Sequence, residues 1–131
     1  MKFDLIDQVL AQDEKRIVTI KQVTLAEEYL ADHFPGFPIL PGVLMLEAMV
    51  QAASKLLAPE GQRLVLGEVK AVKYGAMVRP GDSLRVEVTT SATKDDGITP
   101  CKGTGTVLHR DSEGTQTAVA GRFSMRPARI E

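Results

Sequence analysis

The stretch His33–Ala53, HFPGFPILPGVLMLEAMVQAA, decides how the rest of the chain is organised. It begins as a loop rich in proline and glycine and continues as a run of strong helix formers. On a helical wheel the polar residues of this run and the next turn share one narrow stripe: Glu47, Gln51, Ser54 and Lys55. Apolar residues cover the other sides, which is typical of a helix inside a core. We therefore predict a long buried helix that begins near Gly42 and carries Glu47 into the interior.

Length and composition indicate one globular domain spanning residues 1–131, because 131 residues with 44% hydrophobic content can bury a sizeable core. The 16 basic and 17 acidic side chains leave no overall field that would attract nucleic acid or an anionic membrane. The N-terminus has no secretory signal, and no apolar stretch is long enough to span a bilayer. The single Cys101 favours a reducing compartment. We expect a cytoplasmic protein that binds neither nucleic acid nor membrane.

The segments around the long helix predict strands. Phe3–Leu10 reads as a first strand or a short helical lead-in, and Arg16–Thr24 alternates β-branched and polar residues as a half-buried strand does. Thr24 then begins a short helical pattern, TLAEEYLADHF, which Pro35 prevents from continuing.

After the helix, turn signals rich in Asp and Gly separate four strands, predicted over Arg63–Tyr74, Ser83–Lys94, Thr99–His109 and Thr115–Arg126. A run of strands with one helix set apart predicts an α+β fold, with an antiparallel sheet wrapped around a long central helix. Because one small sheet can hardly cover that helix, a second copy of the chain is a reasonable source of further cover.

Two residues of the central stretch could carry acid–base chemistry. His33 supplies an imidazole and Glu47 a carboxyl group, which together are a serviceable general base and general acid. Gln51 lies one turn beyond Glu47 and could orient it by a hydrogen bond. The N–H of Gly42 points out of the positive end of the helix, where a developing oxyanion could be held. From residue types alone, a structural hydrogen bond is the commoner role for such groups, so both interpretations stay open.

The other reactive residue types predict less. His109 stands beside Arg110 and an acidic turn, so we expect it to be solvated. Cys101 has no neighbouring His or helix start to activate it, so an inert thiol is expected. No group of His, Cys and carboxylates has metal-ligand spacing. Tyr74, Met77 and Phe123 are expected to line the core or a tunnel.

The stretch HFPGFPILPGVLMLEAMVQAA closely resembles the signature of bacterial 3-hydroxyacyl-acyl-carrier-protein dehydratases of the FabZ type. A looser resemblance extends from LIDQVL through RIVTIKQVT to VRPGDSLRVEV. It implies a hot-dog fold, in which an antiparallel sheet wraps the long helix and two subunits join their sheets. It also implies active sites at the interface of a homodimer, with further assembly into a trimer of dimers in many members.

The resemblance also assigns roles to individual positions. His33 matches the catalytic base, and Glu47 matches the catalytic acid that reaches over from the partner subunit. Gly42 matches the glycine whose N–H polarises the thioester carbonyl, and Gln51 matches the glutamine that supports the carboxylate. The implied reaction removes water from a 3-hydroxyacyl chain to leave a trans-2-enoyl thioester, in fatty acid or related lipid or polyketide synthesis. The implied partner is acyl carrier protein, whose phosphopantetheine arm carries the substrate, and no metal or dissociable cofactor is required.

Two departures from the family pattern bear on the substrate and the partner. Asp32 stands where members usually have Gly, and the segment Tyr74–Met77 lacks the usual basic pair. Acyl chain length, carrier docking and the hexameric state are therefore open.

Two other functions are weighed against the dehydratase. A hot-dog acyl thioesterase would leave His33 idle, and a non-catalytic acyl-thioester-binding subunit would need neither His33 nor Glu47. Four basic residues near strand ends are candidates for docking an acidic carrier, the alternative being simple solvation: Lys70, Lys73, Arg79 and Arg126.

Overall fold

A computed structural model describes residues 4–24, 39–58, 63–109 and 114–128. Within these residues the order is β1 (Gln8–Gln12), β2 (Arg16–Gln22), α1 (Gly42–Leu57), β3 (Leu64–Tyr74), β4 (Ser83–Thr90), β5 (Thr99–Leu108) and β6 (Thr115–Pro127). The long helix and the four strands after it are present, although β4 ends at Thr90 and not at Lys94 as predicted, because the chain turns around residues 94–98. The short helix predicted after Thr24 lies outside the described residues, and so do Asp32 and His33.

The strands form one sheet in the order β1-β2-β4-β5-β6-β3, and every neighbouring pair runs antiparallel. The predicted α+β hot-dog arrangement is therefore confirmed, with the sheet packed against α1. Of the two interpretations offered for Phe3–Leu10, the structure shows a strand that begins at Gln8. Leu5 and Ile6 precede it and lie in the core.

The helix approaches the sheet closely because small residues face it. On β4 the alternate residues Leu84, Val86 and Val88 are buried, whereas the corresponding row on β5 contains Gly103 and Gly105. A Cβ atom added to Gly103 would stand 2.5 Å from the sulfur of Met49 on α1. The helix meets this surface with a row of buried residues, several of them also small: Met45, Ala48, Met49, Ala52, Ala53 and Leu56.

The predicted polar stripe of α1 is on the side away from the sheet. The prediction that Glu47 is buried is wrong for the single chain, because Glu47 is exposed and Gln51 is only half-buried. Val43, near the start of the helix, is 67% exposed. The physical reason is that the sheet covers one side of the helix only. Among the described residues, no helix is both long and apolar enough to cross a membrane.

The two edges of the sheet differ. β1 has five residues, and its pairing with β2 is irregular between Val9 and Ala11. β3 has 11 residues, most of them exposed along its second half. The pairing of β3 with β6 also shifts register, between Leu66 and Val69 and between Val69 and Ala71, so the edges differ in length and not in regularity. A long exposed edge strand offers more unpaired backbone groups to a further strand than a short one does. β3 is thus the edge better suited to extension.

Candidate functional site

The start of α1 presents backbone donors that the helix itself cannot satisfy. Pro41 is the N-cap residue and makes no side-chain capping bond, and the first turn contains no acidic residue. The N–H of Leu44 donates to the Pro41 carbonyl oxygen at 3.0 Å. The N–H groups of Gly42 and Val43 have no acceptor among the described residues. As far as the described residues go, these two N–H groups at the positive end of the helix could stabilise a developing negative charge.

Two contacts fix this helix start against the end of β3. The N–H of Leu40 donates to the Val78 carbonyl oxygen at 2.8 Å. The ring of Tyr74 lies over Gly42 so closely that a Cβ atom there would stand 2.9 Å from Tyr74 Cε1. Glycine at position 42 therefore lets the ring approach the helix.

The exposures of the three predicted core or tunnel residues differ. Tyr74 and Met77 are 52% and 48% exposed, so neither belongs to the core. Phe123 is buried in the core.

The Glu47 carboxylate is held by Gln51, as predicted. Gln51 Nε2 donates to Glu47 Oε1 at 3.4 Å, and Gln51 Oε1 accepts the N–H of Leu5 at 2.8 Å. The segment before β1 therefore fixes the orientation of the Gln51 amide, so that its N–H group faces the carboxylate. The contact is present, and its catalytic role stays a prediction.

Glu47 opens onto a surface groove of about 540 Å³ between α1, the segment before β1 and the first residue of β3. The lining includes Gln51, Ser54 and Lys55 from the helix, with Leu64 from β3. His33 lies outside the described residues, so its predicted meeting with Glu47 is not tested.

His109 is better connected than the sequence predicts. Its Nε2 lies 3.0 Å from Gln116 Oε1, and its Nδ1 lies 3.3 Å from Asp82 Oδ2. The hydrogen bond with Gln116, followed by the attraction of Asp82, raises the pKa of His109 above its ordinary value. The side chain is 31% exposed, so it is in contact with solvent as expected, and the two polar partners are what the sequence did not indicate. Asp82 and Gln116 are distant in sequence, so no local pattern could have predicted this cluster.

Cys101 is confirmed as an inert thiol. It is 5% exposed, and burial raises its pKa to about 11. In the part of the chain that the structure describes, no group of three or more His, Cys, Asp or Glu residues is placed to hold a metal ion.

Three of the four predicted docking residues line two different grooves. Lys70 and Arg126 line a groove on β3 and β6. Arg79 lines a different groove, together with Met77 and His109. Lys70 and Arg126 therefore do not share a groove with Arg79.

Comparison with known proteins finds dehydratases among the relatives of this chain. A family profile described as ApeI-like, ApeI dehydratase, matches residues 9–105, which run from β1 into β5. The 3-hydroxyacyl-[acyl-carrier-protein] dehydratase FabZ of Koribacter versatilis is 35% identical over 133 residues, covering 97% of this chain and 83% of that protein. The FabZ of Thermus thermophilus is 43% identical over 90 residues, covering 65% of this chain and 63% of that protein.

Solved structures share the fold at lower identity. The dehydratase heterocomplex ApeI:P from Xenorhabdus doucetiae superposes with a TM-score of 0.68 at 20% identity, covering 96% of this chain and 99% of that one. A Streptococcus mutans protein bound to acetyl-CoA gives a TM-score of 0.71 at 14% identity, covering 98% and 92%. The sheet and helix seen here are those of the hot-dog fold, and the profile match and the identity to FabZ extend over most of the chain. On these grounds the chain belongs to the FabZ-type and ApeI-like family of hot-dog dehydratases.

Proposed function

We propose that this chain removes water from a 3-hydroxyacyl thioester carried by acyl carrier protein and so produces the trans-2-enoyl thioester. The pathway would be the synthesis of fatty acids or of related lipids or polyketides. Membership of the family supports the reaction class. The observation that carries the assignment to this chain is the Glu47 carboxylate, which faces an open groove and is oriented by Gln51.

The proposed step is an acid–base elimination. His33 takes the proton from the carbon next to the thioester carbonyl, and negative charge develops on the carbonyl oxygen. The N–H of Gly42, which has no acceptor among the described residues and lies at the positive end of α1, would stabilise that charge. Glu47 gives a proton to the hydroxyl group on the next carbon, the C–O bond breaks, and water departs as the C=C bond forms.

The proposal requires no metal or dissociable cofactor, because the elimination exchanges protons and changes no overall oxidation state. The phosphopantetheine arm belongs to the substrate. A cytoplasmic location is part of the proposal and agrees with Cys101 being a buried free thiol.

We place the complete site at the interface of a homodimer whose subunits join along β3. Three features support this arrangement. β3 is the longer edge of the sheet, Glu47 is exposed although it stands on the core helix, and apolar Val43, Tyr74 and Met77 are exposed near the helix start. In this dimer Glu47 of one subunit would meet His33 of the other. Further assembly into a trimer of dimers is the larger form to be tested, and the mass in solution decides between the two.

The experiment offers a 3-hydroxyacyl carrier thioester and follows the absorbance of the conjugated enoyl product together with release of free thiol. Glu47→Gln and His33→Ala are each expected to lower enoyl formation at least about a hundredfold. The matched controls Glu14→Gln, in the exposed β1–β2 turn, and His109→Ala are expected to keep the wild-type rate.

Three outcomes would contradict the proposal. Thiol release without enoyl product would indicate an acyl thioesterase. Binding of the thioester without turnover would indicate a non-catalytic subunit. Near-normal turnover in both site variants would show that the roles of His33 and Glu47 are wrong.

A further inference from the structure

Tyr74 lies between the sheet and the start of α1, and the proposed chemistry does not use it. It is the last residue of β3, and its ring lies against Gly42, the first residue of the helix. A Cβ atom at position 42 would stand 2.9 Å from Cε1, 3.1 Å from Cζ and 3.2 Å from Cδ1 of the ring. One edge of the ring therefore rests on the residue whose N–H is the proposed oxyanion donor.

Backbone hydrogen bonds on both sides of this contact hold it in place. Directly after Tyr74, the N–H of Gly75 donates to the Ala118 carbonyl oxygen at 2.8 Å, so the end of β3 stays fixed to β6. On the side of the helix, the N–H of Leu40 donates to the Val78 carbonyl oxygen, also at 2.8 Å. The ring and the helix start are thus positioned by the same short segment, and the contact between them belongs to the fold.

Packing accounts for the ring of Tyr74 but not for its hydroxyl group. A phenylalanine would make the same contact with Gly42, because the three ring atoms nearest to it are carbons. The hydroxyl group is bonded to Cζ, so it stands one covalent bond from an atom in contact with Gly42. Of the three exposed side chains near the helix start, Val43, Tyr74 and Met77, it is Tyr74 that carries a hydrogen-bond donor. The hydroxyl is therefore the feature of this residue that asks for a role.

We propose that the Tyr74 hydroxyl donates a second hydrogen bond to the thioester carbonyl oxygen, beside the bond from the Gly42 N–H. This inference rests on the proposed function. As His33 removes the proton from the neighbouring carbon, an electron pair moves toward the carbonyl and its oxygen becomes negative. A carbonyl oxygen has two lone pairs, and a single N–H engages only one of them. The phenol keeps its proton throughout, so no covalent bond is formed or broken at Tyr74 and only the hydrogen bond strengthens.

The proposed dimer would make such a donor effective. Tyr74 stands on the edge strand that joins the partner in that dimer, so its exposed ring would be closed off from water there. A hydrogen bond stabilises a developing charge more strongly where water is excluded than in bulk solvent. Because the charge develops only as the proton is removed, the bond favours the transition state over the bound substrate. We therefore expect the hydroxyl to act on kcat more than on KM.

The test compares Tyr74→Phe with wild type on the 3-hydroxyacyl carrier thioester. Phenylalanine keeps the ring against Gly42, so the urea midpoint should stay unchanged while kcat for enoyl formation falls at least about tenfold. KM should change by less than about twofold. Thr89→Val, which removes a hydroxyl from an exposed position of β4, is the matched control and should leave kcat and KM unchanged. A raised KM with unchanged kcat, or a lowered urea midpoint in Tyr74→Phe, would overturn the inference.

A second measurement does not depend on turnover. Infrared difference spectra are recorded with a butanoyl carrier thioester labelled with ¹³C at the carbonyl, which lacks the 3-hydroxyl group and cannot be dehydrated. Each hydrogen bond to the oxygen lowers the carbonyl stretching frequency, so the shift on binding should be smaller in Tyr74→Phe than in wild type. An equal shift in both proteins would overturn the inference. If wild type forms no enoyl product but the two shifts differ, the proposed function fails while the hydrogen bond from Tyr74 to the thioester is supported.

Discussion

Gln51 accepts a hydrogen bond from the N–H of Leu5 and donates one to the candidate acid Glu47, and two substitutions separate the effects of these contacts. Gln51→Glu keeps an oxygen that can accept the Leu5 N–H, now seen at 2.8 Å, but it removes the donor to Glu47. Gln51→Met has a similar length and removes both hydrogen bonds. The structure therefore predicts different effects of the two variants on stability and on turnover.

The expected magnitudes follow from the geometry. A hydrogen bond to a charged group contributes about 1.5–3 kcal/mol. The 3.4 Å separation between Gln51 Nε2 and Glu47 Oε1, together with the exposure of Glu47, places this bond at the lower end. Turnover of Gln51→Glu should therefore fall about tenfold, with a stability cost of only about 0.2–0.5 kcal/mol from the carboxylate pair one turn apart. Gln51→Met leaves the N–H of Leu5 without its acceptor and should lose about 1 kcal/mol of unfolding free energy.

Urea unfolding and enoyl formation, measured on the same preparations, check both effects. The matched control is Gln12→Glu at the end of β1, which makes the same exchange on an exposed strand away from α1. Full turnover in Gln51→Glu would refute the orienting role of Gln51. An unchanged unfolding free energy in Gln51→Met would refute the structural role assigned to the Leu5 bond.

Three further outcomes are expected. Gly105→Ala should lower the unfolding free energy, measured by urea unfolding, by about 1–3 kcal/mol, because its Cβ atom would stand 2.6 Å from the Val119 side chain. An unchanged urea midpoint would contradict the packing described. Cys101 should resist a thiol reagent at pH 8 until urea is added, and rapid labelling of the native protein would contradict its burial. The unfolding free energy should fall as pH rises from 9.0 toward about 11, because only the unfolded thiol ionises readily in that interval. Gln116 and Asp82 stabilise protonated His109, so its contribution to stability is complete below its ordinary pKa of 6.5 and is lost as pH rises through the raised value. An NMR titration of Gln116→Leu should show a lower pKa for His109, and an unshifted curve would exclude the Gln116 hydrogen bond as the cause of the raised pKa.

The sequence predicts most of the secondary structure because the patterns involved are local. The polar stripe of α1 and the alternation along β4 and β5 depend only on spacing along the chain. Turn residues act over equally short distances, and Gly81 and Gly97 take the positive φ values that the turns require. The end of β4 is less predictable. The strand pattern continues to Lys94, but Lys94 is already in the turn, where its N–H donates to the Ile98 carbonyl oxygen at 2.8 Å.

The features that the sequence could not predict depend on which segments become neighbours. Exposure of Glu47 follows from how far one sheet reaches around the helix, and helical periodicity does not contain that information. The cluster of His109 joins the ends of different strands. Tyr74 meets Gly42 only through the packing of the end of β3 against the helix start.

Subunit complementation tests most directly the claim that the acid and the base of one site come from different chains. His33→Ala and Glu47→Gln, each inactive alone, are mixed in equal amounts and allowed to exchange subunits. Half of the dimers are then mixed, and each has one of its two sites intact, so about a quarter of wild-type activity should return. If exchange is verified by mass and activity stays at the level of the separate variants, both groups act within one chain and the proposed site is wrong.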